Sequence, residues 1–64
     1  MVTCTFHLSN RFKTITAKNP KDCWNIFKKD YGEAENEIRQ IDVMSPIETV
    51  SVDLTVFKNT WINI

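Results

Sequence analysis

A chain of 64 residues, 42% of them aliphatic or aromatic, with one glycine and two prolines, has the composition of a folded domain and length for a single hydrophobic core. Its eight basic and eight acidic side chains cancel, which speaks against the large phosphate footprint of a strongly basic nucleic-acid-binding domain. No apolar run approaches the roughly 20 residues that span a bilayer, and the first residues lack the basic and apolar segments of a signal peptide, so one cytoplasmic domain over residues 1–64 is expected.

Val2, Cys4, Phe6 and Leu8 alternate with Thr3, Thr5 and His7, the period of a half-buried strand. A second β-forming run follows over residues 12–17. With Asn10 and Arg11 at the centre of a two-residue turn, Leu8 faces Lys13, Phe6 faces Ile15 and Cys4 faces Ala17, while Thr5 meets Thr16 and His7 meets Thr14 on the other face. Arg11 suits positive φ poorly, so a longer, bulged turn stays open beside this register.

Asn19 and Pro20 announce a helix, since Asn caps free amides, Pro is tolerated in the first turn, and Asp22 suits the positive end of the dipole. Cys23, Trp24, Ile26, Phe27 and Tyr31 share one arc of the helical wheel, opposite Lys21, Asp22, Asn25, Lys28 and Lys29. Gly32 sits where a left-handed residue would end the helix. Beyond it Ala34, Ile38 and Ile41 fit helical spacing while Ile41 and Val43 fit a strand, and a strand over residues 37–44 is the reading taken. After the Ser45–Pro46 turn, Val50, Val52, Leu54 and Val56 alternate as the clearest strand in the chain, and residues 61–64 read as a short fifth one. The expected fold is therefore α+β, in the order β-β-α-β-β(-β), with one helix on one face of an antiparallel sheet of four or five strands.

Little in the chain suits catalysis. His7 is the only histidine, and its place among threonines on the solvent face reads as that of a cross-strand polar neighbour. Cys4 and Cys23 fall on core positions, as buried free thiols would, and with His7 they make at most three zinc ligands on diverging faces. The acidic run Asp30, Glu33, Glu35, Glu37 lacks the pattern of a calcium loop, and a lone glycine builds no phosphate loop. No enzyme activity, metal or cofactor is expected.

Charge is unevenly spread. Residues 1–29 hold six basic side chains and one acid, whereas residues 30–64 hold two basic side chains and seven acids. The halves either form opposed surfaces that steer a charged partner or interleave within one fold, the second being preferred. The uncovered sheet face is expected to carry Thr3, Thr5, His7, Phe12, Thr14, Thr16, Ser51, Asp53, Thr55 and Phe57. Phe12 and Phe57 on it either anchor an interface or fold over the sheet edges. Trp61 either closes the core or, with residues 62–64, offers an edge for dimerisation.

The order hairpin, helix, strand, strand, with the helix closing at Tyr31 and Gly32, resembles that of small inhibitor proteins of phages and mobile elements, among them the phage-type inhibitor of bacterial RNA polymerase and several anti-CRISPR proteins. The resemblance is architectural and carries no binding residue across. It implies a binder that covers a surface of a larger host machine. The expectation is thus a protein-binding module, a monomer or homodimer without membrane attachment, with Phe12, Phe57, Trp61, Arg11 and Lys13 as its contacts. The alternative is a nucleic-acid-binding regulator that uses Arg11, Lys13, Lys18 and Lys21.

Overall fold

A computed structural model describes residues 1–63. The element order is β1 (Val2–His7), β2 (Phe12–Ala17), α1 (Pro20–Tyr31), a 3-10 segment (Gly32–Glu37), β3 (Gln40–Met44), β4 (Thr49–Val52), α2 (Leu54–Phe57) and a wider π-helical turn (Lys58–Ile62). The four strands form one antiparallel sheet in the order β2-β1-β3-β4, which makes the fold α+β.

The hairpin forms where the alternation puts it, but in a different register. Val2 pairs with Ala17, Cys4 with Ile15 and Phe6 with Lys13, a slip of two residues from the expected pairing. The turn is centred on Ser9 and Asn10, and the Leu8 amide donates to the Arg11 carbonyl at 2.7 Å. Arg11 is thereby freed from a turn position it suits poorly. A slip of two leaves every side chain on its expected face, because strand side chains alternate with period two.

Helix α1 starts as its sequence signals require. Asn19 is extended, its side chain accepts from the Asp22 amide at 2.8 Å, and Pro20 follows in the first turn. Cys23, Trp24 and Phe27 are buried, but Ile26, expected with them, is 38% exposed on the flank of the helix. Gly32 is not a left-handed cap: at φ −55°, ψ −33° it stays right-handed, and the chain tightens into the 3-10 segment, where Ala34 is buried. That segment takes residues 32–37, so the third strand begins at Gln40, later than expected.

The largest departure is at the C-terminal end. The alternation of Val50, Val52, Leu54 and Val56 suggests one long strand, yet β4 stops at Val52. Asp53 turns the chain, its side chain accepting from the Val56 amide at 2.8 Å as an N-cap. Leu54, Phe57 and Trp61 recur at helical spacing, and this second periodicity is the one realised. No fifth strand forms over the described part of residues 61–64, where Trp61 and Ile62 lie in the π-helical turn, and residue 64 lies outside the described residues.

All of this builds one core on one side of the sheet. Cys4, Phe6, Ile15, Ile41 and Val43 point from the strands toward Cys23, Trp24, Phe27 and Phe57. Phe6 stacks on Phe27 with centroids 4.4 Å apart, and Phe57 meets Phe6 edge-on at 6.2 Å and Trp24 at 5.8 Å. Cys4 and Cys23 are free thiols with no exposed surface, and burial first, then the neighbouring Cys23, pushes the Cys4 thiol far up, so it stays protonated and unreactive. Over Trp24 lies a polar clamp, in which Glu35 accepts from both Lys28 and Lys58 (2.8 Å for Lys58). These hydrogen bonds, Lys28's first, hold the Glu35 carboxyl below its ordinary range, and the two ammonium groups sit 5.9 and 5.4 Å from the Trp24 ring.

Phe57→Ala should cost about 3–5 kcal/mol, as deletion of a fully buried ring does, enough to abolish cooperative urea unfolding in a domain of this size. Val56→Ala, at a position 45% exposed, should leave the transition near wild type. Equal tolerance of both substitutions would contradict the helical C-terminal segment.

Candidate functional site

Because α1 and the C-terminal helical segment both pack on the same side, the opposite face of the sheet is left bare. Strand pairing arranges it in three rows. Phe12, His7 and Gln40 form the first, Thr14, Thr5, Asp42 and Ser51 the second, and Thr16, Thr3, Met44 and Thr49 the third. Thr3 and Thr16 share a hydrogen bond at 2.9 Å, and Thr5 and Thr14 a longer one at 3.4 Å. β-branched threonines have few rotamers to lose, so this is a stiff hydroxyl surface.

Asp42 is its electrostatic centre. One carboxylate oxygen, Oδ1, accepts from the Ser51 hydroxyl at 2.7 Å and from Gln40 Nε2 at 2.8 Å, and Oδ2 accepts from His7 Nε2 at 2.8 Å. An ionised carboxylate only accepts, so the His7 hydrogen in this contact resides on Nε2. The donors, Ser51 first, then Gln40 and His7, hold the Asp42 carboxyl at about 2, below its usual 3.8. His7 is further steadied by Phe12, whose ring lies 6.2 Å away at 43°. Phe12 is 63% exposed and Met44 51% exposed, so the polar network is flanked by two apolar side chains in contact with solvent.

The five expected contact residues do not converge here. Phe12 belongs to the face, and Arg11 stands exposed beside it at the hairpin end. Lys13 projects to the helix side, with Nζ 4.9 Å from the centroid of the Tyr31 ring. Phe57, expected as an exposed aromatic, has no exposed surface and belongs to the core. Trp61 is half-buried, 5.3 Å from Phe57, and closes the core from the C-terminal side. Asp53 and Thr55 leave the sheet with α2 and are not part of the face. Thr49 of β4 and, from β3, Asp42, Gln40 and Met44 are instead its unexpected members. The alternation of the β3 residues with Ile41 and Val43 is visible in the sequence, but their place beside His7 follows from β3 pairing with β1, which no local signal specifies.

A histidine oriented by a carboxylate has the parts of a general base, but this one lies on an open sheet. Two grooves among the described residues lie elsewhere. One of about 390 Å³ runs between the end of β2 and α1, lined by Met1, Thr16, Ala17, Lys18, Asp22 and Ile26 among others, and one of about 210 Å³ lies beneath Trp61. Among the described residues no group of three His, Cys, Asp or Glu side chains gathers to hold a metal, and no helix is long and apolar enough to cross a membrane. No family model, curated protein or solved structure matches the chain.

The depressed Asp42 pKa makes a stability prediction with a defined sign. Its ionised form is favoured by the fold, so the stabilisation is complete above about pH 4 and is lost as pH falls toward the folded value of about 2. Asp42→Asn should therefore flatten the fall in urea-unfolding free energy across that window, the remaining slope coming in part from Glu35. An unchanged acid slope in this variant would show that the network contributes nothing to stability.

Proposed function

We propose that this chain is a small non-enzymatic protein-binding module that docks on a larger protein through its open sheet face and, by covering the surface it binds, acts as a stoichiometric inhibitor of the phage type against a host protein machine. The observation that carries the docking is the prearranged His7–Asp42–Gln40–Ser51 network between exposed Phe12 and Met44. Polar groups already held in place, with apolar anchors beside them, lose little conformational freedom on association. The His7–Asp42 pair lacks the enclosed, water-excluding pocket on which general base catalysis relies, which supports a binding role. The inhibitory role rests on the architectural resemblance, and the cytoplasm of the host is where such a binder would act.

The alternative is a nucleic-acid-binding regulator that uses the basic hairpin and helix. Two of its basic groups are otherwise engaged: Lys28 binds Glu35, and Lys13 covers Tyr31. The ionised Asp42 at the centre of the face would repel phosphate, so a protein surface is the favoured partner.

Affinity capture with the tagged chain, with and without nuclease, and calorimetry on the recovered partner test this reading. A single stoichiometric protein that survives nuclease is expected, and Phe12→Ala should weaken its binding by about 2 kcal/mol, the scale of an aromatic interface anchor. Asp42→Lys should weaken it further, with the variants' circular dichroism unchanged. Loss of all partners on nuclease treatment would transfer the function to Arg11, Lys13, Lys18 and Lys21, and unaltered affinity in both variants would remove the open face as the docking surface.

A further inference from the structure

The hairpin edge has a geometry that the open face does not account for. In an antiparallel ladder, pairs that exchange backbone hydrogen bonds alternate with pairs that do not. The Leu8–Arg11 bond places the bonded pairs at Phe6–Lys13, Cys4–Ile15 and Val2–Ala17. Phe12, Thr14 and Thr16 therefore turn their backbone N–H and C=O groups outward, and among the described residues nothing pairs with them. This edge has six residues without proline, whereas the opposite edge, β4, has only four. A bare edge of this kind is a template for another strand.

Helix α1 lies over β1 and β2, and its flank beside this edge carries Asp22, Ile26 and Lys29, spaced four and then three residues apart. Asp22 and Ile26 line the 390 Å³ groove there together with Ala17 and Met1, and Ile26 is 38% exposed. The helix runs antiparallel to β2, since Tyr31 lies under Lys13 while Cys23 Sγ donates to the Ile15 carbonyl at 3.4 Å. Ile26 is thus level with the middle of the strand.

From this we infer that β2 is the interface of a two-fold homodimer, in which the β2 strands of two copies pair antiparallel about Thr14 and the two sheets join into one of eight strands. Thr14 then bonds its own counterpart in both directions, and Phe12 of each copy bonds Thr16 of the other, so all three outward-facing residues are satisfied. Strands lie about 4.8 Å apart, so two helices each seated between β1 and β2 come to roughly 10 Å, a normal helix-packing separation. About the same axis Ile26 meets Ile26, and Asp22 of each copy faces Lys29 of the other. The flank is self-complementary in charge only in this antiparallel arrangement, which identifies a second copy as the occupant. Joining the sheets also sets two open faces side by side, and a bivalent binder gains avidity without a new contact.

Sedimentation equilibrium over a range of concentrations, from about micromolar to about millimolar, tests the dimer, with circular dichroism as the check on folding. The wild type should approach twice its 7.5 kDa mass. Thr14→Pro removes an amide the chain's own ladder does not use, and Ile26→Lys sets two charges against each other, and each should raise the dimer Kd roughly tenfold or more. Asp22→Lys and Lys29→Asp should each self-associate weakly, because both contacts then set like charges together, and an equimolar mixture should associate more strongly than either, because both contacts regain opposite charges. Should Thr14→Pro fail to fold, the helix variants decide alone. A wild type that stays monomeric at about 1 mM overturns the inference and leaves the edge for an extended segment of another protein. A dimer that persists through Ile26→Lys and is indifferent to both charge reversals also overturns it.

Discussion

Phe6, at the centre of β1, stacks on Phe27 of α1 and receives Phe57 edge-on from the C-terminal helical segment, with Trp24 against all three. A domain of 64 residues has few interior positions, and here much of the interior is aromatic. Large rings bury a great deal of surface for each residue ordered, which offsets the unfavourable surface-to-volume ratio of so short a chain. Drawing Phe57 into this cluster also decides the path of the chain after β4, because a strand continuing past Val52 would carry Phe57 away from Trp24. The N-cap at Asp53 is the local device for the change of direction, and the aromatic contact provides the energetic reason for it.

The location of the cluster has a consequence on the far side of the sheet. Both helical segments are committed to one face, so the other is covered only by its own side chains. Threonines, Ser51, Gln40, His7 and Asp42 keep that face in water while bonding one another across strands. What remains is a rigid, nearly charge-free plane with one carboxylate at its centre and Phe12 and Met44 toward its periphery. Such a plane is better suited to being covered by a partner than to enclosing a substrate.

Opposite charges in the two halves of the chain are in part reconciled within the fold. Lys28 from the basic half and Lys58 from the acidic half meet on Glu35, and the clamp they form seals Trp24 from solvent. Surface ion pairs of this sort contribute only tenths of a kcal/mol to about one, so the clamp matters more for closing the core than for its Coulomb energy. Among the described residues Asp22 and Lys29, on the flank of α1 beside β2, take part in no ion pair.

Local patterns in the sequence determined much of this protein. The alternation in the first two strands assigned each of their side chains to a face, and the Asn19–Pro20 pair located the start of α1, because strand period and capping chemistry depend on near neighbours alone. The α+β class followed from those elements. Tertiary structure decided where near neighbours were ambiguous. The hairpin register slipped by two because faces are insensitive to such a slip. Gly32 stayed right-handed because the chain had a 3-10 segment to build around Ala34. Residues 54–61 satisfied strand and helix periods at once, and only the presence of Trp24 and Phe6 across the core selected the helix and buried Phe57. For the same reason the candidate site was half legible: His7, Phe12 and the threonines were visible in the strand pattern, whereas Asp42 joined them only when β3 paired with β1, a contact between residues 35 apart in the chain that no local signal encodes.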